Sequence, residues 1–210
     1  MIVDDHPLMR DSLVRLIESE ADLECCGWAS NAEEALEKVG QLKPDLVITD
    51  ITLPGRSGME LTKDMKVMHP DVAILVFSMH DEMLYAERAL RSGARGYLMK
   101  EAGSEKLVEA VRLVLDGAVA VSSRLSARII DLFSSHKPRG SSSPIEKLSD
   151  REFEVYQLIG QGKTTKEIAA QLHLSEKTVA VHRGHIKTKL GLATVIDLVR
   201  HSVRWTESRE

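Results

Sequence analysis

Cysteine is nearly absent: Cys25 and Cys26 are the only two in 210 residues. Being adjacent they are poor disulfide partners, and two thiols are too few for a zinc site, so neither kind of cross-link is expected to hold this chain. They read as core filler on a short strand. Long apolar runs are missing as well. No window approaches the roughly 18 uninterrupted apolar residues of a membrane span, so no membrane partner is expected. A basic leader is the third absence. The chain opens on Met1-Ile2-Val3-Asp4-Asp5, acid where a secretory signal would be positive, which points to a cytoplasmic address. What remains is the composition of an ordinary globular protein, 43% hydrophobic and 29% charged. Its length exceeds the usual domain of roughly 100 to 150 residues and leaves room for two small ones.

The net charge of −4 conceals an asymmetry. Residues 1–133 hold 15 Lys and Arg against 23 Asp and Glu, a net −8, whereas residues 134–210 hold 13 against 9, a net +4. The two parts therefore face different partners, and only the second suits a polyanion such as DNA.

In the first part, short apolar runs alternate with helical patterns. Ile2-Val3, Leu23–Trp28, Leu46–Thr49, Val72–Phe77 and Gly96–Met99 read as strands. Between them, Pro7 opens a helix with Leu8, Leu13, Leu16 and Ile17 on one face, Asn31 caps a helix stopped by Lys43-Pro44, and Gly58–Met68 and Glu82–Arg91 form two more. Ser104 is expected to cap the last, through Leu115. Five such units argue for right-handed crossovers and an α/β fold: a doubly wound, five-stranded parallel sheet covered on both faces.

Ligands of open parallel sheets sit at the carboxyl ends of the strands. There the polar residues converge: Asp4 and Asp5 end the first strand, Asp50 the third, Ser78 the fourth and Lys100 the fifth. Clustered carboxylates repel one another unless a cation intervenes, and hard oxygen donors select Mg²⁺ or a similar ion such as Mn²⁺. Metal, ammonium and hydroxyl together suit a phosphoryl group, with a carboxylate oxygen of Asp50 as its acceptor.

Asp4-Asp5, Asp50 with Pro54 and Gly58 behind it, Ser78, Tyr97 and Lys100 resemble the signature of the receiver domain of bacterial two-component response regulators. The resemblance covers residues 1–117 and implies a flavodoxin-like fold in which Asp50 accepts phosphate from a sensor histidine kinase. It implies that Asp5 and Asp50 hold the metal directly, that Asp4 helps through water, and that the backbone carbonyl of Thr52 is a further ligand. Ser78 would follow the phosphate and Tyr97 would turn inward as the switch. This chain departs from the pattern in its short first strand, where receivers carry a longer apolar run, and in Leu53, where Met is common.

Val119–Phe133 reads as a turn and a further helix with Ile129, Ile130 and Phe133 on its apolar side. Ser134–Pro144, rich in Ser, Pro and Gly, is a flexible linker, so that residues 118–144 join the two domains. Beyond it, residues 145–210 form a small all-α domain. Ser149 and Glu152 make a capping box, Thr164 or Thr165 starts a short helix, Ser175 caps a longer one, and a fourth spans Thr194–Val203. The second and third form a helix-turn-helix. Leu148–Glu152, Lys166–Ala169, Leu174-Ser175, Thr178-Val179, His182-Arg183, Ile186 and Lys189-Leu190 resemble the LuxR-type DNA-binding domain, and the two halves together a response regulator of the NarL/FixJ type. Lys177, Thr178, Val181, His182, Arg183, His185, Lys187 and Lys189 are the candidate contacts to double-stranded DNA. Ala180 stands where the family often has Lys, and Gly184 leaves another frequent contact bare. The last helix, with Val195, Leu198 and Val199, resembles the one through which such domains form a homodimer on DNA.

His6, His69, His80, His136 and His201 show no ligand spacing and read as surface or capping groups, and Met65, Met68, Met79, Met83 and Met99 as core and interface packing. The chain is not expected to be an enzyme. Two other readings stand beside the leading one: a regulator that binds DNA with a weakly phosphorylated or unphosphorylated receiver, and a Mg²⁺-dependent phosphatase of the haloacid-dehalogenase type. The latter needs an acid two residues after its nucleophile, where this chain has Thr52.

Overall fold

The computed structural model describes residues 1–127 and 144–208. They form two compact units, within Met1–Ser135 and His136–Glu210. The expected helical residues Ile129, Ile130 and Phe133, and the linker apart from Pro144, lie outside the described residues.

In the first unit five parallel strands, β1 (Ile2–Val3), β2 (Trp28–Ala29), β3 (Leu46–Thr49), β4 (Ala73–Ser78) and β5 (Gly96–Met99), lie in the order β2-β1-β3-β4-β5. Five helices connect and cover them: α1 (Pro7–Glu18), α2 (Ala32–Leu42), α3 (Gly58–Met68), α4 (Glu82–Ser92) and α5 (Ser104–Leu115). Alternation along the strands splits the core. Leu46, Ile48, Leu75 and Phe77 pack with Leu13 and Ile17 of α1 and Leu107, Val111 and Val114 of α5. Val47, Thr49, Ile74 and Val76 take the opposite face, which is why the strands read as unbroken apolar runs.

The short first strand is well held. Ile2 and Val3 are each 1% exposed and pair on both sides, and Ile48 N and Asp50 N donate to Met1 O and Val3 O at 3.0 Å each. Position, rather than length, secures it.

Several expectations need correction. Leu8 is 84% exposed, because the nine residues separating it from Ile17 make two and a half helical turns and place the two on opposite faces. The second strand shrinks to Trp28–Ala29 and leaves both cysteines outside it, Cys25 half-buried and Cys26 exposed. Gly103, with φ 91°, precedes α5 and Ser104 makes no capping bond.

The second unit holds α6 (Asp150–Gly160), α7 (Thr165–Gln171), α8 (Glu176–Lys189) and α9 (Val195–Glu207). Ser149 with Glu152, and Thr164 with Glu167, form reciprocal capping boxes. The last helix runs beyond Val203 because Trp205 packs edge-on against Phe153 and Tyr156, at 5.6 and 5.5 Å between ring centres. His201 also turns inward, its Nδ1 lying 2.7 Å from the Tyr156 hydroxyl. No helix among the described residues is long and apolar enough to cross a membrane.

Candidate phosphoryl-acceptor site and nucleic-acid interface

Asp50 leaves β3 at the carboxyl edge of the sheet and turns back into it, only 6% exposed. The turn is tight because α3 starts directly behind it. Gly58 N donates to Ile51 O at 2.7 Å, and a Cβ on Gly58 would overlap the carbonyl oxygen of Asp50, so no other residue fits there. Ser57 then caps α3 with Glu60 reciprocating. A strand end and a helix start thus fix the carboxylate between them.

Each carboxylate oxygen of Asp50 is engaged. Oδ1 accepts from Ser78 Oγ at 2.7 Å and Ile51 N at 2.6 Å. Oδ2 accepts from Lys100 Nζ at 2.6 Å, and the same ammonium donates to Asp4 Oδ2 at 2.7 Å. Burial alone would lower the Lys100 pKa, but the charge of Asp50 and the bonds to Asp4 and Asp50 outweigh it and hold the ammonium above its ordinary range. The residues expected from β1, β3, β4 and β5 therefore meet at one point, with Lys100 on the short turn Lys100–Ala102 that follows β5.

Asp4 and Asp5 converge with a partner the sequence had not offered. Their carboxylates and the imidazole of His6 bring ligand atoms within 4.8 Å of one another, and His6 Nδ1 lies 2.8 Å from Asp5 Oδ1. His6 reads as a surface or capping residue and is both, standing at the N-cap of α1 with its side chain 66% exposed. Asp50 stands outside that trio and is joined to it through Lys100. The carboxylate oxygens of Asp4, Asp5 and Asp50 and the Thr52 carbonyl are hard donors that fit a divalent cation of the Mg²⁺ or Mn²⁺ class, whereas the exposed imidazole of His6 is not a donor that such an ion selects.

Tyr97 points inward, 1% exposed, and its hydroxyl donates to His80 O at 2.8 Å. Burial, reinforced by the charge of Asp50, pushes its pKa up. His80, by contrast, reads as a surface or capping residue but turns inward. Its Nε2 lies 3.0 Å from Thr52 Oγ1, its ring stacks obliquely on Tyr85 at 4.5 Å, and burial depresses its pKa against the pull of Asp50. One residue thus links the loop after Asp50 to Tyr97. Its position two residues past Ser78 was the only sequence signal.

In the second unit α7, a turn at His173 (φ 53°) and α8 make the expected helix-turn-helix. Val179 and Ile186 face inward, while Lys177, Ala180, Val181 and His185 face solvent. Ser175 Oγ caps the helix by accepting from Thr178 N at 3.0 Å. A Cβ on Gly184 would meet nothing within 4 Å, so that part of the surface is open backbone. Not all candidate contacts are equally available. Arg183 donates to Thr165 Oγ1 at 2.9 Å, bracing α7 against α8, and Lys189 Nζ is held by Glu152 at 2.7 Å. His182 and Lys187 are half-exposed on the same helix.

Comparison with known proteins agrees with this division. The model of the response regulator receiver domain matches residues 1–112, and that of bacterial regulatory proteins of the luxR family matches residues 146–202. The oxygen regulatory protein NreC of Staphylococcus haemolyticus is 36% identical over 208 residues, 97% of this chain and 96% of NreC. A LuxR-family two-component response regulator from Aurantimonas sp. SI85-9A1 superposes with a TM-score of 0.59 at 34% identity, over 63% of this chain and 95% of that one. The response regulator RcsB in complex with DNA superposes with a TM-score of 0.62 at 25% identity, over 95% of each chain.

Proposed function

Since the chain belongs to the two-component response regulators that join a receiver domain to a luxR-type DNA-binding domain, we propose that Asp50 is its phosphoacceptor and that the phosphate controls DNA binding by α8. The observation that carries this reading is the encirclement of one buried carboxylate by Ser78, Lys100 and Asp4, delivered by four different strands. The donor would be the phosphohistidine of a sensor kinase or a small acyl phosphate. A carboxylate oxygen of Asp50 attacks phosphorus, the bond to the donor breaks, and the pair of electrons leaves with the donor.

Asp5, Asp50 and the Thr52 carbonyl would hold a Mg²⁺ or Mn²⁺ ion, with Asp4 helping through water; the ion would neutralise phosphoryl oxygens during transfer. Lys100 supplies the protein's own share of that neutralisation. Ser78, which now donates to Asp50, would donate instead to a phosphoryl oxygen. That movement is the start of the signal, because Ser78 ends β4 and His80, two residues on, holds the Tyr97 hydroxyl.

On the DNA side, Lys177, Thr178, Val181, His182, Arg183, His185 and Lys187 would contact the duplex, with Lys189 near the end of the helix. The N-terminal turn of α8 offers backbone N–H groups to a phosphate. Leu198, expected on the dimer face of α9, is fully buried, and exposed Val195, Ile196 and Val199 would supply the apolar surface for a homodimer on DNA. Such a regulator acts in the cytoplasm.

Incubating the protein with acetyl phosphate and Mg²⁺ and weighing it intact tests the chemistry. One added phosphate is expected on the wild type and none on Asp50→Asn. A wild type that gains no mass would refute the assignment.

A further inference from the structure

The chain that leads toward the second unit does not leave the first at the end of α5. At Ala120 it joins the outer edge of the sheet: Ala120 N donates to Arg95 O at 3.0 Å, and Tyr97 N donates to Ala120 O at 2.8 Å. Gly96 permits this approach, since a Cβ there would stand 2.9 Å from Ala120 O and 2.7 Å from the Leu75 side chain. Ala120 itself is buried in the core shared by β3, β4 and α5. Two residues on, Ser122 meets the first turn of α4. Its N–H donates to Glu82 Oε1 at 2.8 Å and its hydroxyl to Glu82 Oε2. Ser122 Oγ also accepts from Leu125 N at 3.2 Å, at the start of helical residues 123–127.

We propose that residues 118–122 form a strap that carries the state of Asp50 out of the first unit, with the Glu82–Ser122 pair as its clasp. The inference rests on the reading of Asp50 as phosphoacceptor. The strap touches both halves of the switch. Its main chain is anchored to the backbone of Tyr97, while its side-chain clasp holds α4, and the loop before α4 carries the carbonyl that accepts the Tyr97 hydroxyl. When Ser78 turns from Asp50 to a phosphoryl oxygen, the end of β4, the loop at His80 and Glu82 shift relative to β5. Ala120 stays with β5. Hydrogen bonds to a carboxylate weaken steeply with distance and angle, so a small displacement of Glu82 makes or breaks two at once. The result is a two-position contact at the root of the connection to the second unit.

The test compares wild type with Glu82→Ala and Ser122→Ala, which attack the clasp from either side, and with Glu87→Ala, which removes an exposed acid of α4 paired with Arg91. Each full-length protein is treated with acetyl phosphate and Mg²⁺, weighed intact, and titrated onto a duplex selected from a random-sequence pool on the phosphorylated wild type. All four should take one phosphate. Wild type and Glu87→Ala should gain at least about tenfold in affinity on phosphorylation, and the two clasp variants less than about twofold. A full gain in both clasp variants, or an equal loss in Glu87→Ala, overturns the strap alone. Phosphate on wild type with no gain in affinity overturns it too, and absence of phosphate on wild type overturns the reading of Asp50 and the strap with it.

Discussion

Lys100 stands between Asp4 and Asp50, all three side chains 6% exposed or less. Two buried carboxylates so close together are tolerable only while the ammonium lies between them. Replacing Lys100 by Met leaves both charges uncompensated, and removal of one partner from a buried ionic cluster costs about 3 kcal/mol or more. Lys100→Met should therefore unfold at clearly lower urea than wild type, and added Mg²⁺ should recover part of the loss because a cation at the acids replaces the missing charge. An unchanged midpoint without metal would show that the cluster carries no such strain. Asp4, Asp5, Asp50, Ser78 and Lys100 were legible in the sequence because each ends an apolar run, and a parallel sheet sends such ends to one edge. His80 was not. Its part depends on which loop folds over the carboxylates, and no periodicity records that.

Among the elements, α2 shows how a helix terminus makes stability depend on pH. Glu34 bonds Lys38 Nζ at 2.7 Å and reaches back to Ser30 N and Oγ at 2.8 Å, which hold its pKa at about 2 against an ordinary 4.5. A carboxyl depressed on folding stabilises above its unfolded pKa, and the contribution is lost as pH falls from about 4.5 toward 2. The pair lies at the surface, so the effect is about 1 kcal/mol. Glu34→Gln should match wild type poorly at neutral pH and converge with it at the acid end, measured by urea unfolding across that range. A constant gap would mean that the bond does not titrate. Helices and strands were legible wherever caps and alternation are local, as at Asn31, Ser149 and Ser175. The pattern misled at Leu8, where a shared face was assumed across two and a half turns. It was silent at Ala120, whose pairing with Gly96 joins residues 24 apart and needs the sheet edge to exist first.

At the scale of the whole molecule the acidic first part and basic second part separate two tasks. DNA binding should follow counterion release, so Lys177→Ala and Lys187→Ala should each lower the slope of log affinity against log salt by about one, whereas Lys189→Ala should change it less because Glu152 holds that ammonium. Unaltered slopes in the first two would place the duplex on another surface. The two-part organisation was legible from charge and motif spacing. The way the parts communicate was not, since it runs through backbone carbonyls at His80 and Ala120 that any residue could supply. The central claim is that phosphate at Asp50 governs DNA binding, and its most direct test is the dissociation constant for a selected duplex at fixed salt, with and without acetyl phosphate and Mg²⁺, for wild type and Asp50→Asn. Phosphodonor should tighten binding by wild type at least about tenfold and leave Asp50→Asn unchanged; equal affinity with and without it in wild type would instead make this a regulator that binds DNA regardless of its receiver.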